Sequence, residues 1–382
     1  MSYEAFTFCE FFAGGGMARA GLGDRWRCTF ANDFDPRKSA AYIDNWGDGE
    51  MLTQDIRKVT LADMPAGRPN LVWASFPCQD LSLAGAGAGL KGDRSGTFWP
   101  FWDRIRELCA DDRAPQAIVL ENVLGTLSAH GGKDFEAIVR STIDAGYDVG
   151  ALVIDAELFV PQSRPRVFFI AVRRLDQTRG KPTFVQPSLW QPQSLCNAVN
   201  ALPASLRTKW LSWNPPPPKM KRASLVDIVE DGANLKWHSL EQTNRLLDLM
   251  SPLHRQKVEL AKQSKQKTIG TVYRRMRPAG DGTKIQRAEV RFDDTAGCLR
   301  TPAGGSSRQL ILVVDGKSVR TRLISARETA RLMGLPDSYK LPRSYNEAYH
   351  LTGDGVVVPV VRHISDHILI PYLEKTSLPV AA

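Results

Sequence analysis

The feature that most constrains the fold is the alternation of strand-like and helix-like segments over the first 172 residues. Short runs rich in β-branched and aromatic residues are separated by stretches with apolar residues at helical spacing. This alternating order of strands and helices predicts an α/β fold, in which a mostly parallel sheet has helices on both faces. In such folds ligands bind beyond the carboxyl ends of the strands. The predicted strands are Phe6–Phe12, Cys28–Asn32, Asn70–Ser75, Ala117–Glu121, Val149–Ile154 and Val167–Val172, and the predicted helices are Met17–Leu22, Pro36–Trp46, Trp99–Ala110 and Asp134–Ala145.

The second half of the chain has a different composition. After about residue 173 Pro and Gln become frequent, and Pro215–Pro218 is a four-proline run that cannot be helical or lie inside a sheet. Helix-like patterning returns from about residue 322 and ends in an apolar helix around Pro359–Leu373. We therefore predict a large α/β domain built from 1–180 and 338–382, and a second, smaller and irregular domain over 181–337.

Positive charge is concentrated in the middle of the chain. The 382 residues include 50 Lys and Arg against 41 Asp and Glu, a net charge of +9. Residues 173–330 hold 28 of the basic and only 13 of the acidic residues. A basic segment between mildly acidic flanks indicates a surface that faces a polyanion. Charge alone leaves open a solvated basic surface with no partner.

Other features narrow the cellular setting. The N-terminus carries Glu4 and Glu10 and lacks the order of a signal peptide, and apolar runs such as Phe168–Val172 are too short to cross a bilayer. Six scattered cysteines without a C-x-x-C pair suit a reducing cytoplasm and argue against disulfides or a zinc site. His363 and His367 are four residues apart without a third ligand, so we expect them to pack rather than bind metal.

A glycine-rich turn follows the first predicted strand, at Phe12-Ala13-Gly14-Gly15-Gly16. Glycines there let the backbone approach a cofactor at the start of a helix. Asp33 ends the next strand, where a carboxylate can bind ribose hydroxyls, and Asp55 is placed to meet an adenine edge. Sites for NAD, FAD and S-adenosyl-L-methionine all begin this way, and a tight structural turn is the other interpretation.

Three further side chains follow strands at the same predicted edge. Cys78 lies in Phe76-Pro77-Cys78-Gln79, directly after a predicted strand, and Glu121 ends another. Arg164 and Arg166 precede a third strand. A lone cysteine is more often a small buried side chain. A thiol, a carboxyl group and two guanidinium groups beside a nucleoside site instead indicate catalysis.

At this point the sequence resembles the DNA (cytosine-5)-methyltransferase family. The matching tracts occur in the order of the family and cover both ends of the chain. They are Phe12-Ala13-Gly14-Gly15-Gly16, Asn32-Asp33, Pro77-Cys78-Gln79, Arg94-Ser95-Gly96, Glu121-Asn122-Val123, Gly146-Tyr147, Gln162-Ser163-Arg164-Pro165-Arg166, Arg327-Glu328-Thr329-Ala330-Arg331-Leu332-Met333-Gly334-Leu335-Pro336 and Gly353-Asp354-Gly355-Val356-Val357-Val358-Pro359. In four places the chain departs from the family. Met17 follows the glycine turn where the family often continues with Gly, and Asp33 replaces the usual Glu. Asp80-Leu81 follows Cys78-Gln79 where the family usually has an aromatic at the second position. Asp354-Gly355 replaces the common Asn followed by a small residue, and Val357 replaces the common Pro.

The resemblance implies a Rossmann-like catalytic domain that uses S-adenosyl-L-methionine, with 181–337 as the target-recognition domain. It implies that Cys78 attacks C6 of a cytosine flipped out of the duplex, while Glu121 binds N3 and the exocyclic amine and Arg166, supported by Arg164, holds the base. The cofactor-binding residues that it implies are Phe12, Gly14, Gly16, Asp33, Asp55, Ile56, Pro77, Asp354 and Val356.

The implied partner is double-stranded DNA, bound by a monomer in the cytoplasm of a bacterial or phage-infected cell, with a separately encoded restriction endonuclease as a possible companion. The predicted DNA-binding residues are Gln79, Ser82, Arg274, Arg275, Arg300, Thr301, Arg308 and Gln309. Three alternatives stay open: a tRNA cytosine-5 methyltransferase of the same fold, a non-catalytic DNA-binding adaptor, and a dinucleotide oxidoreductase. The oxidoreductase would explain the glycines and Asp33 but not Cys78 with Glu121.

Overall fold

The computed structural model describes residues 5–77, 95–173, 183–219, 222–232, 235–264, 266–278, 282–300 and 308–377. The chain divides into two compact units. Unit 1 consists of Met1–Asp155, Pro165–Lys219 and Gly355–Ala382, and unit 2 consists of Ala156–Arg164 and Met220–Asp354. The first and last segments of the chain therefore belong to one unit.

Unit 1 is built on a seven-stranded sheet. The strands are β1 (Phe6–Phe11), β2 (Trp26–Asp33), β3 (Met51–Thr53), β4 (Leu71–Ala74), β5 (Ala117–Val123), β6 (Tyr147–Asp155) and β7 (Pro165–Arg173). Their order in the sheet is β3-β2-β1-β4-β5-β7-β6. Five neighbouring strands run parallel, and β7 is antiparallel to both β5 and β6. The mostly parallel α/β sheet is thus confirmed.

Helices cover this sheet and build its core. The helices of unit 1 are α1 (Met17–Leu22), α2 (Pro36–Trp46), α3 (Phe98–Ala110), α4 (Lys133–Asp144), α5 (Gln193–Asn200), α6 (Ala204–Arg207), α12 (Val358–Ile364) and α13 (Ile370–Ser377). Phe101, Trp102 and Ile105 on α3 are buried together with sheet residues such as Val72 and Ile118. All four helices predicted in the first 172 residues are present, and α1 and α2 have the predicted bounds.

The predicted domain boundaries need correction. The segment 183–219 belongs to unit 1 because it pairs with the sheet: the N–H of Leu211 donates to the carbonyl of Val149 at 2.8 Å. A Cβ on Gly150 would lie 2.1 Å from the carbonyl oxygen of Leu211, so the approach requires glycine. The boundaries predicted at 180/181 and 337/338 therefore move to 219/220 and 354/355, with 156–164 added to unit 2.

Unit 2 is regular, which corrects the prediction of an irregular domain. Its elements are α7 (Leu225–Ile228), α8 (Leu240–Asp248), α9 (Pro252–Gln263), β8 (Thr268–Pro278), β9 (Lys284–Arg291), β10 (Leu310–Asp315), β11 (Ser318–Leu323), α10 (Ala326–Leu332) and α11 (Tyr345–Asp354). The four strands form an antiparallel sheet in the order β11-β10-β8-β9, which packs with Leu246 of α8 and Val258 of α9. The sequence pattern missed β8, β9 and β11 because basic residues interrupt their apolar alternation, and it left the continuous apolar run of β10 unassigned.

One apolar helical stretch, Tyr345–Thr376, is long enough to cross a membrane. Of its most apolar window 61% is buried inside the protein, as in the core helices of globular proteins. The stretch is also interrupted at residues 355–357, which are not helical.

Candidate active site

The glycine-rich turn is a strained connection between β1 and α1. Phe12, Gly14 and Gly16 all have positive φ angles, of 57°, 55° and 76°. For a phenylalanine this conformation is costly, and such strain is concentrated at functional sites. A Cβ on Gly14 would meet nothing within 4 Å, whereas one on Gly16 would lie 2.4 Å from Nε1 of Trp46. The turn therefore has open space at Gly14 and close packing at Gly16.

Asp33 holds this turn from the end of β2. Its carboxylate accepts from the N–H of Gly14 at 2.8 Å and from the N–H of Asp35 at 2.9 Å. Burial raises the pKa of Asp33 above its ordinary value. The indole of Trp46 donates to the carbonyl of Gly15 at 3.1 Å, which fixes the other side of the turn. Asp33 thus lies directly against the glycine turn.

The segment after β3 carries Asp55 and Ile56 to the same end of the sheet. The amide of Asn32, at the end of β2, donates to the carbonyls of Leu52 at 2.9 Å and Gln54 at 2.8 Å, which ties the two strand ends together. Hydrogen bonds from Arg57 hold the pKa of Asp55 below its ordinary value. Ile56 is buried. Asp55 is therefore a charged acceptor beside the segment that the resemblance assigns to the cofactor.

The catalytic acid that the sequence predicts is paired with a predicted arginine. Nε of Arg166 on β7 lies 3.1 Å from Oε1 of Glu121 on β5, and both side chains are largely buried. The neighbouring amide of Asn122 donates to the carbonyl of Phe76 at 3.3 Å. Asn122 thereby fixes the start of the loop Phe76–Pro77 that leads to Cys78, next to the Glu121–Arg166 pair.

Several predicted residues lie outside the part of the chain that the structure describes. These are Cys78, Gln79, Ser82 and Thr301. Pro77 is the last described residue before that gap. The role of Cys78 as nucleophile therefore stays a prediction, although the strand and hydrogen bond that position the start of its loop are described.

The sequence profile of the family described as C-5 cytosine-specific DNA methylase matches residues 6–369, nearly the whole chain. The chain belongs to this family. Membership assigns it a methyltransferase reaction on C5 of cytosine in DNA, and it confirms the resemblance on which the predicted site rests. The order of the motifs along the chain carried that prediction, since each motif alone is short.

Curated relatives cover the chain from end to end. The Type II methyltransferase M.NlaX of Neisseria lactamica is 28% identical over 367 residues, with 95% of this chain and 96% of the relative covered. The Type II methyltransferase M.HhaI of Haemophilus parahaemolyticus is 25% identical over 366 residues, covering 94% and 93%. This member of the family is thus similar in length to bacterial relatives that carry the name of restriction–modification enzymes.

Solved structures show the same fold. The S. pombe Dnmt2 methyltransferase superposes with a TM-score of 0.62 at 16% identity, covering 98% of this chain and all of that one. A putative DNA modification methyltransferase encoded within an E. coli prophage superposes with a TM-score of 0.52 at 17% identity, covering 97% and 100%. At this identity the likeness shows the Rossmann-like methyltransferase fold and nothing finer.

The two predicted arginines of Gln162-Ser163-Arg164-Pro165-Arg166 fall in different units. Arg164 belongs to unit 2, where its guanidinium donates to the carbonyls of Leu299 at 3.0 Å and Gly353 at 2.8 Å. It is 3% exposed. These contacts favour an anchoring role in unit 2 over support of the base, and its catalytic role stays a prediction.

The remaining predicted residues lie in varied surroundings. Asp354 is exposed at the end of α11, and Val356 is buried in unit 1. Arg274, Arg275 and Arg300 are exposed in unit 2. Arg308 donates to Oδ1 of Asn346 at 2.5 Å, and Gln309 is 5% exposed with its backbone paired to Ile324 and Tyr349. Burial favours packing for Gln309, whose DNA contact stays a prediction.

The sequence analysis missed three residues that shape the site. Trp46 and Asn122 hold the glycine turn and the start of the Cys78 loop. Glu10, on β1 under the same turn, is 2% exposed. Burial raises its pKa to about 8. A charged residue inside a run of apolar strand residues is the signal that could have identified Glu10. Among the described residues no cluster of His, Cys, Asp and Glu could hold a metal ion.

Proposed function

We propose that this cytosine-5 DNA methyltransferase takes its methyl group from S-adenosyl-L-methionine and acts on a flipped-out cytosine in a specific sequence of double-stranded DNA, giving 5-methylcytosine. The observation that carries the mechanism is the Glu121–Arg166 pair at 3.1 Å, with Asn122 beside it holding the start of the loop that leads to Cys78. This geometry supports a carboxyl group and a guanidinium acting on one base, and we assign the thiol to Cys78, which follows the described Phe76–Pro77 segment in the sequence.

The residues around the glycine turn fit the cofactor. Gly14 has a positive φ angle and open space where a side chain would be, and the buried carboxylate of Asp33 lies against its N–H. Phe12, Gly14, Gly16, Asp33, Asp55, Ile56, Pro77, Asp354 and Val356 are the residues that would hold it. When bound, S-adenosyl-L-methionine supplies an electrophilic methyl group. Asp33 would bind the ribose hydroxyls.

The chemistry of the base begins at C6. Addition of the Cys78 thiolate to C6 forms a C–S bond and makes C5 enamine-like, so C5 becomes nucleophilic enough to accept a methyl group. Glu121 would donate a proton toward N3 as the thiolate adds and hydrogen-bond the exocyclic amine. Arg166 would hold O2 and favour the anionic forms electrostatically. Loss of the C5 proton to a water molecule or hydroxide from solvent, return of the N3 proton to Glu121 and departure of Cys78 as a thiolate restore the aromatic ring.

The base must leave the duplex before Cys78 can reach it, at a cost of about a few kcal/mol that protein–DNA contacts have to offset. We assign these contacts to Gln79, Ser82, Arg274, Arg275, Arg300, Thr301, Arg308 and Gln309. We further propose a cytoplasmic enzyme that acts as a monomer on DNA, with a separately encoded restriction endonuclease as a companion. The Type II methyltransferase names of the relatives support duplex DNA as the substrate.

The decisive experiment is bisulfite sequencing of a plasmid that expresses the chain in a host without cytosine methylation. We expect protected cytosines in one short repeated context, none with Cys78→Ser, and at least ~10²-fold slower methylation with Glu121→Gln. Cys109→Ser is the matched control, because this half-buried thiol lies in the last turn of α3 and belongs to none of the motifs assigned to the site.

Three results would contradict the proposal. Full protection with Cys78→Ser would remove Cys78 as nucleophile. Absence of protection in plasmid DNA, together with methylation of cellular RNA by the purified wild-type chain, would move the substrate from duplex DNA to RNA. A chain that binds DNA and transfers no methyl group from labelled S-adenosyl-L-methionine would be an adaptor.

A further inference from the structure

Gln162 is a fully buried amide that joins two separate parts of unit 2. It lies in the short stretch Ala156–Arg164 and is 0% exposed. Its Nε2 donates to the carbonyl of Leu332 at 2.9 Å and to Sδ of Met333 at 3.4 Å. Its Oε1 accepts from the N–H of Leu299 at 3.1 Å. Burying an amide is costly unless its donors and acceptor are paired, and both sides of this amide are.

The backbone of Leu299 is held from two directions. Gln162 accepts from its N–H, and Nη1 of Arg164 donates to its carbonyl at 3.0 Å. Three residues earlier, the carbonyl of Ala296 accepts from the N–H of Ser163 at 3.0 Å, so the two stretches run side by side. The contacts to Leu299 involve backbone atoms alone, and they therefore fix the direction of the chain at this point.

The residue that follows, Arg300, is exposed. The chain thus passes directly from a buried backbone with two side-chain contacts to a long cationic side chain on the surface. An arginine can donate two parallel hydrogen bonds to O6 and N7 of a guanine. Because the guanidinium is planar, such a contact depends on where the backbone places the side chain. The contacts of Leu299 therefore determine how Arg300 is presented.

We propose that Gln162 is a positioning residue for target recognition: its amide fixes the backbone that presents Arg300 to a base pair, and Gln162 thereby helps to determine which sequence is methylated. The inference rests on the proposed function, which supplies the duplex and assigns Arg300 to it. Gln162 does not contact the DNA itself, because its side chain is fully buried within the protein. Arg164 supports the same residue through its carbonyl.

A structural role for Gln162 would depend on its other contact. Nε2 donates to the carbonyl of Leu332, one of the last carbonyl groups of α10, which have no partner within the helix. Loss of this contact lowers stability and slows methylation of all sequences alike. Loss of the contact to Leu299 instead affects the base pair that Arg300 reads. The two roles separate when one contact is removed and the other is kept.

The test uses the full chain and short duplexes that carry the target found by bisulfite sequencing, or this target with one base pair replaced. Methylation rates with labelled S-adenosyl-L-methionine give the discrimination against each replacement. We expect Arg300→Ala to lower discrimination at one base pair by about 5- to 150-fold, the range for one bidentate arginine contact. Gln162→Met, which has a similar length and no amide, should lower discrimination at the same base pair by at least about fivefold.

Gln162→Glu keeps one contact and removes the other. A carboxyl group retains an acceptor for the N–H of Leu299 and loses the amide donor to Leu332. We expect this variant to keep wild-type discrimination even where its melting temperature falls. The double variant of Gln162→Met and Arg300→Ala should discriminate no worse than Arg300→Ala alone, because both changes remove the same base contact.

Thr243→Val is the matched control. Thr243 is 2% exposed on α8 of the same unit, and its Oγ1 lies 3.1 Å from Oγ1 of Thr321. The replacement removes a buried side-chain hydrogen bond of unit 2 and should leave discrimination unchanged. If Gln162→Met does not fold, Gln162→Asn takes its place. Asparagine is one methylene shorter, so it withdraws the amide from Leu299 and should relax the same base pair.

The outcomes separate the inference from the proposed function. If wild type methylates DNA and the folded Gln162→Met or Gln162→Asn variant methylates every duplex more slowly by one factor, or keeps full discrimination, the inference alone fails. Equal loss of discrimination in Gln162→Glu and Gln162→Met would assign the effect to α10 and also overturn it. Uniformly slower methylation with Arg300→Ala would make Arg300 a phosphate contact and leave Gln162 no base pair to control. If wild type methylates no DNA, the proposed function fails and the inference fails with it.

Discussion

At the scale of single residues, the site depends on polar side chains that the fold buries. Glu10 is the clearest case, because it lies on β1 under the glycine turn and is 2% exposed. Loss of solvation raises its pKa to about 8, while Arg19 and the N–H groups of Arg19 and Ala18 act in the opposite direction. At neutral pH the carboxyl group is therefore largely protonated in the folded protein.

This buried carboxyl predicts that stability falls as pH rises. Below about pH 4.5 Glu10 is protonated in both states; between that value and about 8 the unfolded chain loses the proton and the folded chain keeps it. Glu10→Gln should remove this pH-dependent loss of stability, which amounts to about 3–5 kcal/mol in the free energy of unfolding between about pH 4.5 and 8. The measurement is urea unfolding at pH 5, 7 and 9.

The stability curves of wild type and of the Glu10→Gln variant should therefore diverge as pH rises, with the variant relatively more stable at pH 9. Glu374→Gln is the control, since Glu374 is half exposed and pairs with Arg25 at the surface. Parallel curves for wild type and Glu10→Gln would show that Glu10 ionises in the folded protein as it does in the unfolded chain. Burial also raises the pKa of Asp33, but Asp33 is present in both wild type and the variant. The difference between the two stability curves therefore reports on Glu10.

At the scale of elements, α10 is fixed to β11 by a buried ion pair. Arg322 and Glu328 are 1% and 0% exposed, and Nη1 of Arg322 donates to Oε2 of Glu328 at 2.7 Å. Glu328 also accepts from the N–H of Ser325 at 2.7 Å and of Glu230 at 2.8 Å. The Glu328 carboxylate thus caps the start of α10, pairs with β11 and holds the segment around Glu230.

Glu328→Gln should destabilise unit 2 by about 3–5 kcal/mol, because it leaves the Arg322 charge buried and unpaired. Arg322→Met together with Glu328→Gln should recover part of that loss, since the unpaired charge is gone. The measurement is the free energy of unfolding from urea titration. Glu241→Gln, on an exposed pair, should change it by less than about 0.5 kcal/mol. Equal losses for the single and double variants would show that the charge is not the cause.

At the scale of the whole molecule, the two ends of the chain complete unit 1. The indole of Trp26 donates to Oγ of Ser365 at 2.9 Å. Helix α1 packs on α12 so closely that a Cβ on Gly21 would lie 2.4 Å from Cβ of Val361. The helix that follows the glycine turn, α1, is therefore packed against α12, which comes from the last part of unit 1.

This contact predicts energetic coupling between positions 21 and 361. Gly21→Ala should cost about 1–3 kcal/mol through overpacking, and Val361→Gly, which removes the clashing Cβ, should relieve part of that cost in the double variant. A double-mutant cycle on the free energy of unfolding should give a coupling of at least about 1 kcal/mol. Gly49→Ala is the control, because its Cβ would meet nothing within 4 Å. Additive losses would show that the helices separate to admit the methyl group.

Local sequence determined much of the sheet and the family. Alternation of apolar strands and amphipathic helices predicted six of the seven strands of unit 1 and the bounds of α1 and α2, because these patterns follow from backbone periodicity. It missed β3, which has only three residues, and the sheet of unit 2, where exposed arginines hide the alternation. The motifs placed Glu121 and Arg166 at the same edge of the sheet, because Glu121 is near the end of one strand and Arg166 is near the start of another.

Only the tertiary structure decided contacts between distant residues. It assigned Arg164 and Arg166 to different compact units, and it buried Glu10 on β1. It also brought Asn122 to the carbonyl of Phe76 and Arg275 opposite Arg287. Strand register and burial arise from the packing of the whole chain, whereas residue order records only which side chains are available.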